Sequence, residues 1–472
     1  MVDEAVGRGA SVLFASEPDP RGPGASWTTH RSGGRVGCVV HDPGELGVDE
    51  HPSAGRLPDA LRAAGVQPLA VVGPDEVADP RRGAGGHGLR HAQSVTPDFD
   101  ALTLEQLRRR KSIKWRTYEP DVLPAWVAEL DVPLAEPVRD ALRRAVADDD
   151  TGYAAPSGLG RAFAGFAARR WGWTVDPERC WPVADVMVGV GEALTALTQP
   201  GAGVVICPPV YHPFSTVLPE RDRVAVPVPL VDGALDLPGI DLALAAGASA
   251  VLLCSPHNPT GRVWTGEELS ALDAVVREHG AVVVSDEVHA PLALPGAPFT
   301  SYLAEGDRRA VAVVSASKAF NLAGLKAALL VAGDEQVQQR LAALPPEVAM
   351  RAGHLGVLAG TAAYEDGDVW LDALLGHLDR NRSRLADLLA EQLPALRWQP
   401  PQASYLAWLD CRAVSEQAAA VFLERGRVAL VDGTEYDPHA GAGWARLNFG
   451  TPGPVLDEAV RRMAVAIAVA VD

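Results

Sequence analysis

The chain has 472 residues, with 47% hydrophobic and 22% charged, the make-up of a folded protein long enough for two domains and a sizeable core. Its formal net charge of −18 argues against general affinity for nucleic acid or an anionic membrane. No run approaches the ~20 apolar residues of a membrane span, and no signal peptide opens the chain, so a cytoplasmic protein is expected.

Residues 1–96 are rich in Gly, Pro, Arg and Asp and carry only Phe14 and Trp27 as aromatics. Stretches such as "EPDPRGPGAS" and "DPRRGAGGHG" bury too little apolar surface to offset chain entropy, so a largely disordered extension is expected. "RVGCVV" and "PLAVVG" are the two pieces that could form strands. No pair of amphipathic helices resembles a DNA-binding helix-turn-helix. Five scattered cysteines (Cys38, Cys180, Cys207, Cys254, Cys411) lack metal-site spacing, so no metal is expected. Cys207 and Cys254 end apolar runs, where free cysteines are usually buried.

From Phe99 onward the pattern is regular. "EPVRDALRRAVADD" places Val138, Ala141, Leu142, Ala145 and Val146 at helical spacing, and "GLGRAFAGFAARRWG" repeats it with Leu159, Phe163, Phe166 and Ala167. Apolar runs follow: "GVVICPP", "SAVLLCSP", "AVVVSDE" and "AVAVVSASK". Between the second and third lies "TGEELSALDAVVREHG", in which Thr265 and Glu268 have capping-box spacing and Gly280 can end the helix. Continuous apolar strands separated by helices predict an α/β fold with a mainly parallel sheet covered on both faces. Residues 380–472 mix amphipathic helices with short strands such as "SYLAWLD" and "WARLNFG", the pattern of a smaller α+β domain.

Ligands gather at the carboxyl ends of strands in an open parallel sheet. Ser255 to Gly261 follow "VLLC", Ser285 to His289 follow "AVVV", and Ser315 to Lys318 follow "AVAVV". Taken singly each is weak, since an Asp at a strand end serves more often as a turn or cap and a lone Lys is usually a solvated charge. Lysine is rare here, with only Lys111, Lys114, Lys318 and Lys326 against a total of 42 Lys and Arg. Two of the four stand eight positions apart in "VVSASKAFNLAGLK". In "VGVGEALTAL", Gly189, Val190, Gly191 and Glu192 lead into an apolar helix, and the glycines suit either an ordinary turn or a helix start whose backbone N–H groups hold an anion. An acid is out of place beside an anion, so Glu192 would contribute its backbone alone.

"SPHNPTGRVWT", "SDEVHAPL" and "SASKAFNLAGLK" together resemble the signature blocks of fold-type I enzymes that use pyridoxal 5'-phosphate. Within the class I/II aminotransferase family they are most similar to the MalY/PatB, cystathionine β-lyase-like group. "SIKWRTYEPDVLPAWVAELDV", "TGYAAPSG", "PPVYHPF" and "ARLNFGTP" extend the resemblance over residues 97–472. It implies an extension over 1–96, a segment over 97–150 that joins the small domain, a large cofactor-binding domain over 151–350, and a linking helix with the small domain over 351–472.

The resemblance implies these roles. Lys318 forms the Schiff base and moves the Cα proton, while Asp286 holds the pyridine nitrogen protonated. Asn258 donates to the ring oxygen, His289 lies near the same edge, and Tyr211 stacks on the ring or is a plain core tyrosine. Ser315, Ser317 and Lys326 complete the phosphate cradle with Val190, Gly191 and Glu192. Lys326 is a point charge where many aminotransferases have arginine. Tyr153 resembles the residue that reaches the neighbouring subunit's phosphate, which implies a homodimer with shared active sites. Arg446 is the candidate for the amino-acid substrate's carboxylate, a task suited to a planar fork, and Trp126 is expected beside the substrate. His289 in place of tyrosine, "HNPTGRVWT" and "AWVAELDV" favour a carbon–sulfur β-lyase over the alternative, an aminotransferase. A non-catalytic protein of this fold is a third possibility. Ala125, Glu129 and Leu130 stand where the group more often has Met, Asp and Met, which leaves the substrate side chain open.

Overall fold

The computed structural model describes residues 26–32, 35–41, 97–155, 157–304 and 308–468. The chain divides into two units, Met1–Ala92 and Gln93–Asp472. In the first, strands β1 (Ser26–Ser32) and β2 (Arg35–His41) form an antiparallel hairpin with Ser32 opposite Arg35. "RVGCVV" lies in β2, whereas "PLAVVG" and most of the expected disordered extension fall outside the described residues.

The second unit begins with short helices and β3 (Leu123–Pro124), then α1 (Glu136–Ala147) and α2 (Ser157–Trp171). α1 buries Val138 and Ala145 of its predicted stripe but leaves Val146 exposed. A seven-stranded sheet follows, made from β4 (Cys180–Val183), β5 (Gly203–Ile206), β6 (Val224–Pro227), β7 (Ala248–Cys254), β8 (Val282–Asp286), β9 (Ala310–Val314) and β10 (Ala328–Ala332). Its spatial order is β4-β10-β9-β8-β7-β5-β6. β10 runs antiparallel to both its neighbours, and the other six strands share one direction.

The strands read as unbroken apolar runs because both faces are covered. Val251, Leu253, Val283, Ala312 and Val314 point into one core cluster. Their alternates Leu252, Val284, Val311 and Val313 point into another, against Val190 and Leu194 of helix α3 (Val186–Leu197) and against Phe214 and Leu218. Helix α4 (Gly266–Glu278) has the predicted capping box, with Thr265 and Glu268 exchanging backbone bonds, and Gly280 lies just beyond it at φ +61°.

Helix α5 (His354–Asp366) packs on α1 and α2, and the 25-residue α6 (Asp368–Gln392) leads to the last domain. There β11 (Arg397–Trp398), β12 (Leu406–Asp410), β14 (Val431–Asp432) and β15 (Trp444–Asn448) form an antiparallel sheet, backed by the helix Ala418–Gly426, while α7 (Gly453–Ala468) packs on that helix and on α6. β13 (Val428–Ala429) pairs instead with β3, so the segment after Leu123 is laced into this domain from the other end of the chain. Ala125 N donates to Ala429 O at 2.9 Å, Asn448 N to Ala125 O at 2.9 Å, and Asp131 N to Gly450 O at 2.8 Å. Among the described residues no helix is long and apolar enough to cross a membrane.

Candidate active site

The carboxyl ends of β4, β7, β8 and β9 meet at one edge of the sheet, where they open on a cavity of about 270 Å³. Asn258, Asp286, His289, Ser315, Ser317, Lys318 and Tyr211 all line it. Lys326 reaches the same edge for a topological reason. It immediately precedes β10, the one antiparallel strand of the sheet, whose amino end lies beside its neighbours' carboxyl ends.

Lys318 Nζ donates to Ala128 O at 3.1 Å. Burial, helped by the Arg446 charge, brings this amine down to about 8, so about a tenth of it is neutral at pH 7 and about half at pH 8. Asp286 accepts from Val288 N at 3.1 Å, while burial raises its carboxyl to about 6. Asn258 takes a 3.1 Å bond from Arg446 Nη1 on Oδ1, which leaves its Nδ2 donor for the cavity. His289 is buried, and burial followed by the Lys318 and Arg446 charges drives it down to about 3, so it is neutral in use. Its Nδ1 lies 3.0 Å from Ser404 Oγ, and Tyr405 sits at its ring edge. Burial raises the Tyr211 hydroxyl, keeping it protonated.

Two internal bonds carry Tyr211 and Asn258 into place. His257 Nε2 lies 2.8 Å from Pro209 O in the loop that ends at Tyr211, and Trp264 Nε1 donates to Cys254 O at 2.9 Å. Gly261, at φ +70°, lets the loop pass where a Cβ would stand 2.3 Å from Pro401. Ser315 Oγ donates to Ala327 O at 2.7 Å and accepts from Ser317 N at 3.1 Å, joining the two walls beside Lys318.

The helix start expected around Val190, Gly191 and Glu192 lies earlier in the chain. α3 starts at Val186, capped by Asp185, so Val190, Gly191 and Glu192 lie in its buried interior. Gly191 is pressed on the Arg221 guanidinium, and Glu192 pairs with Arg221 at 3.1 Å. The residues that reach the cavity at the helix start are Asp185, Val186 and Met187. The glycines of "VGVG" signalled close packing instead: a Cβ on Gly189 would crowd Val183, Leu330 and Val313. Tyr153 is 82% exposed and does not line its own chain's cavity.

Arg446, on β15, is buried at the rim. Besides Asn258 it donates to Trp126 O at 2.7 Å, and its guanidinium lies 5.1 Å from the Tyr436 ring. Its buried Nε has no partner among the described residues, an unspent donor of the kind an incoming carboxylate takes. Trp126 thus meets the site through its carbonyl, while its ring packs edge-on against Tyr118.

Several contributors carry no side-chain signature in the sequence. Ala128 acts through its carbonyl, which also accepts from Tyr405 Oη at 3.0 Å. The strip Trp126–Val132 is held along its length. Asn448 Nδ2 bonds Val127 O and Glu129 O, each at 2.7 Å, Asn321 exchanges two bonds with Leu130, and Lys114 pairs with Asp131 at 2.7 Å. "AWVAELDV" and "KW" are therefore one clamp that sets two carbonyls against Lys318 and Arg446.

Residues 152–463 match the family model for aminotransferase class I and II. The chain belongs to this family. It is 44% identical over 395 residues to a Mycobacterium leprae protein named "Putative cystathionine beta-lyase", covering 78% of this chain and 98% of the relative. It is 35% identical over 377 residues to the cystathionine beta-lyase PatB of Bacillus subtilis, covering 76% and 97%. The fold superposes on the PLP-bound C-S lyase of Staphylococcus hominis with a TM-score of 0.72 and 26% identity, covering 79% of this chain and 99% of that one.

Proposed function

We propose that this family member is a pyridoxal 5'-phosphate-dependent carbon–sulfur β-lyase, which converts cystathionine or another S-substituted cysteine, with one water, to a thiol, pyruvate and ammonia. The observation that carries the reading is the convergence of Lys318, Asp286, Asn258 and Lys326 on one cavity in a chain of this family. The donor set fits the cofactor: an amine with a lowered pKa, a buried carboxylate, a free amide donor and a helix start beside a lysine. Bound there, the cofactor would supply an electron sink for the pair released when the Cα–H bond breaks.

The chain's own groups do the rest. Lys318 would hold the cofactor by its amine and, when freed, would take the Cα proton. Asp286 would keep a positive charge on the ring nitrogen, and Asn258 Nδ2 would serve the ring oxygen. Tyr211 and neutral His289 would pack against the ring. Ser315, Ser317, Lys326 and the amides of Val186 and Met187 would receive the phosphate. Arg446 grips the substrate carboxylate. Breaking the Cβ–S bond expels the thiol, and the remaining enamine is hydrolysed by water. The exposure of Tyr153 supports a homodimer in which that residue serves the neighbouring subunit's site. We place the enzyme in the cytoplasm.

Purified protein given L-cystathionine and a series of S-substituted cysteines should release thiol, pyruvate and ammonia in equal amounts. Passage of the amino group to an added 2-oxo acid, without pyruvate from the sulfur amino acid, would overturn the lyase reading in favour of transamination.

A further inference from the structure

We infer that Asp185 occupies, with its own carboxylate, part of the seat taken by the cofactor's phosphate, and so limits how tightly the cofactor is held. The inference rests on the cofactor reading above. A phosphate at a helix start is held by backbone N–H groups and a nearby cation. Asp185 already engages both kinds of donor: Oδ1 accepts from Val188 N at 2.9 Å, and Oδ2 accepts from Lys326 Nζ at 3.0 Å. It lines the cavity beside Val186, Met187, Ser315 and Ser317, the groups that the phosphate would meet.

Capping alone does not call for a charge here, since Ser, Thr or Asn satisfies the same N–H. Asp236 and Asp334 also cap helices, through Gly239 N and Val337 N. Neither lines this cavity, and only Asp185 of the three pairs with a lysine among the described residues. A dianion arriving at the start of α3 must therefore share Lys326 with a carboxylate and sit close to that like charge. Lysine, a point charge on a flexible stem, can divide itself between the two as a planar fork cannot. Lys326 stands at φ +61°, with its side chain 57% exposed, so the ammonium has room to swing.

The test measures cofactor release from the full-length holoprotein, followed by loss of visible absorbance on dilution, in wild type, Asp185→Asn and Asp185→Ser. Both variants keep the cap and lose the charge. The dissociation constant for pyridoxal 5'-phosphate should fall about tenfold or more in each, while that for pyridoxal, which has no phosphate, stays unchanged. An unchanged or raised constant for the phosphate form, in variants that keep the wild-type melting temperature, overturns the inference. A wild-type protein that takes up neither compound overturns the cofactor reading instead. Should both variants fail to fold, the wild type still decides. A phosphate that improves affinity over pyridoxal by no more than roughly a thousandfold supports competition at the seat, and one that improves it by more refutes it.

Discussion

Lys114 is fully buried under the N-terminal segment and Lys318 half-buried in the cavity just after β9, and their surroundings are opposite in kind. Lys114 donates to Asp131 Oδ2 at 2.7 Å and to Glu129 O at 3.0 Å, and Trp115 Nε1 binds the other carboxylate oxygen at 2.9 Å. Its charge is matched and its position fixed. Lys318 has one carbonyl, Ala128 O, within hydrogen-bond reach, and burial together with the Arg446 charge brings it down to about 8. A buried cation with a full set of partners is structure. One left short of partners beside a cavity is poised to lose its proton and act as a nucleophile. The clamp built around the first lysine is what delivers Ala128 O to the second.

Exchanging the chemistry at each lysine sharpens the contrast. Lys318→Ala should lower turnover by about 10⁴-fold or more, with thermal stability near wild type. Borohydride reduction of wild-type holoprotein, followed by peptide mapping, should find the cofactor on Lys318. Residual activity within tenfold of wild type would remove Lys318 from its role.

Lys114→Met should instead cost about 3 kcal/mol in urea unfolding, because it leaves the buried Asp131 with only Trp115 Nε1, at 2.9 Å, and the more distant Arg110, at 3.7 Å. Adding Asp131→Leu should recover part of that loss. A double variant no more stable than the single one would show that the pairing is not what the segment depends on. The smallest effect is one of pH. Only the neutral Lys318 amine attacks a carbonyl, and that form declines about tenfold for each pH unit below about 8. Cofactor uptake by stripped protein, followed by absorbance, should quicken as pH rises towards 8 and level off above it. A flat profile from pH 6 to 9 would break the contrast between the two lysines.

The strand ends were the most legible part of the site. Asn258, Asp286 and Lys318 stand just after or at the end of apolar runs in a fixed order, and a parallel sheet brings such ends together whatever the detail of its packing. The start of α3 was less legible, because "VGVG" has the look of a phosphate turn. Its glycines are small for a different reason: Gly189 faces the sheet and Gly191 faces Arg221, while Asp185 supplies the cap four residues before Gly189. Backbone acceptors such as Ala128 O and Trp126 O could not be seen at all, since a carbonyl leaves no mark in residue identity. Ser404, at φ 74° beside His289, was equally silent within a stretch that read simply as a strand.

The sequence by itself determined the alternating layers, the capped helices and which side chains stand at the strand ends as candidates for the site, because periodicity, capping residues and strand-end chemistry are local properties. Only the tertiary structure decided which of those groups share a cavity. It brought Lys326 to the site by reversing one strand, and it drew residues 123–132 against β13 and β15 from the far end of the chain. It also turned an acidic helix cap into the cavity, beside Lys326. Such placements depend on contacts between residues far apart in the chain, which no local pattern encodes.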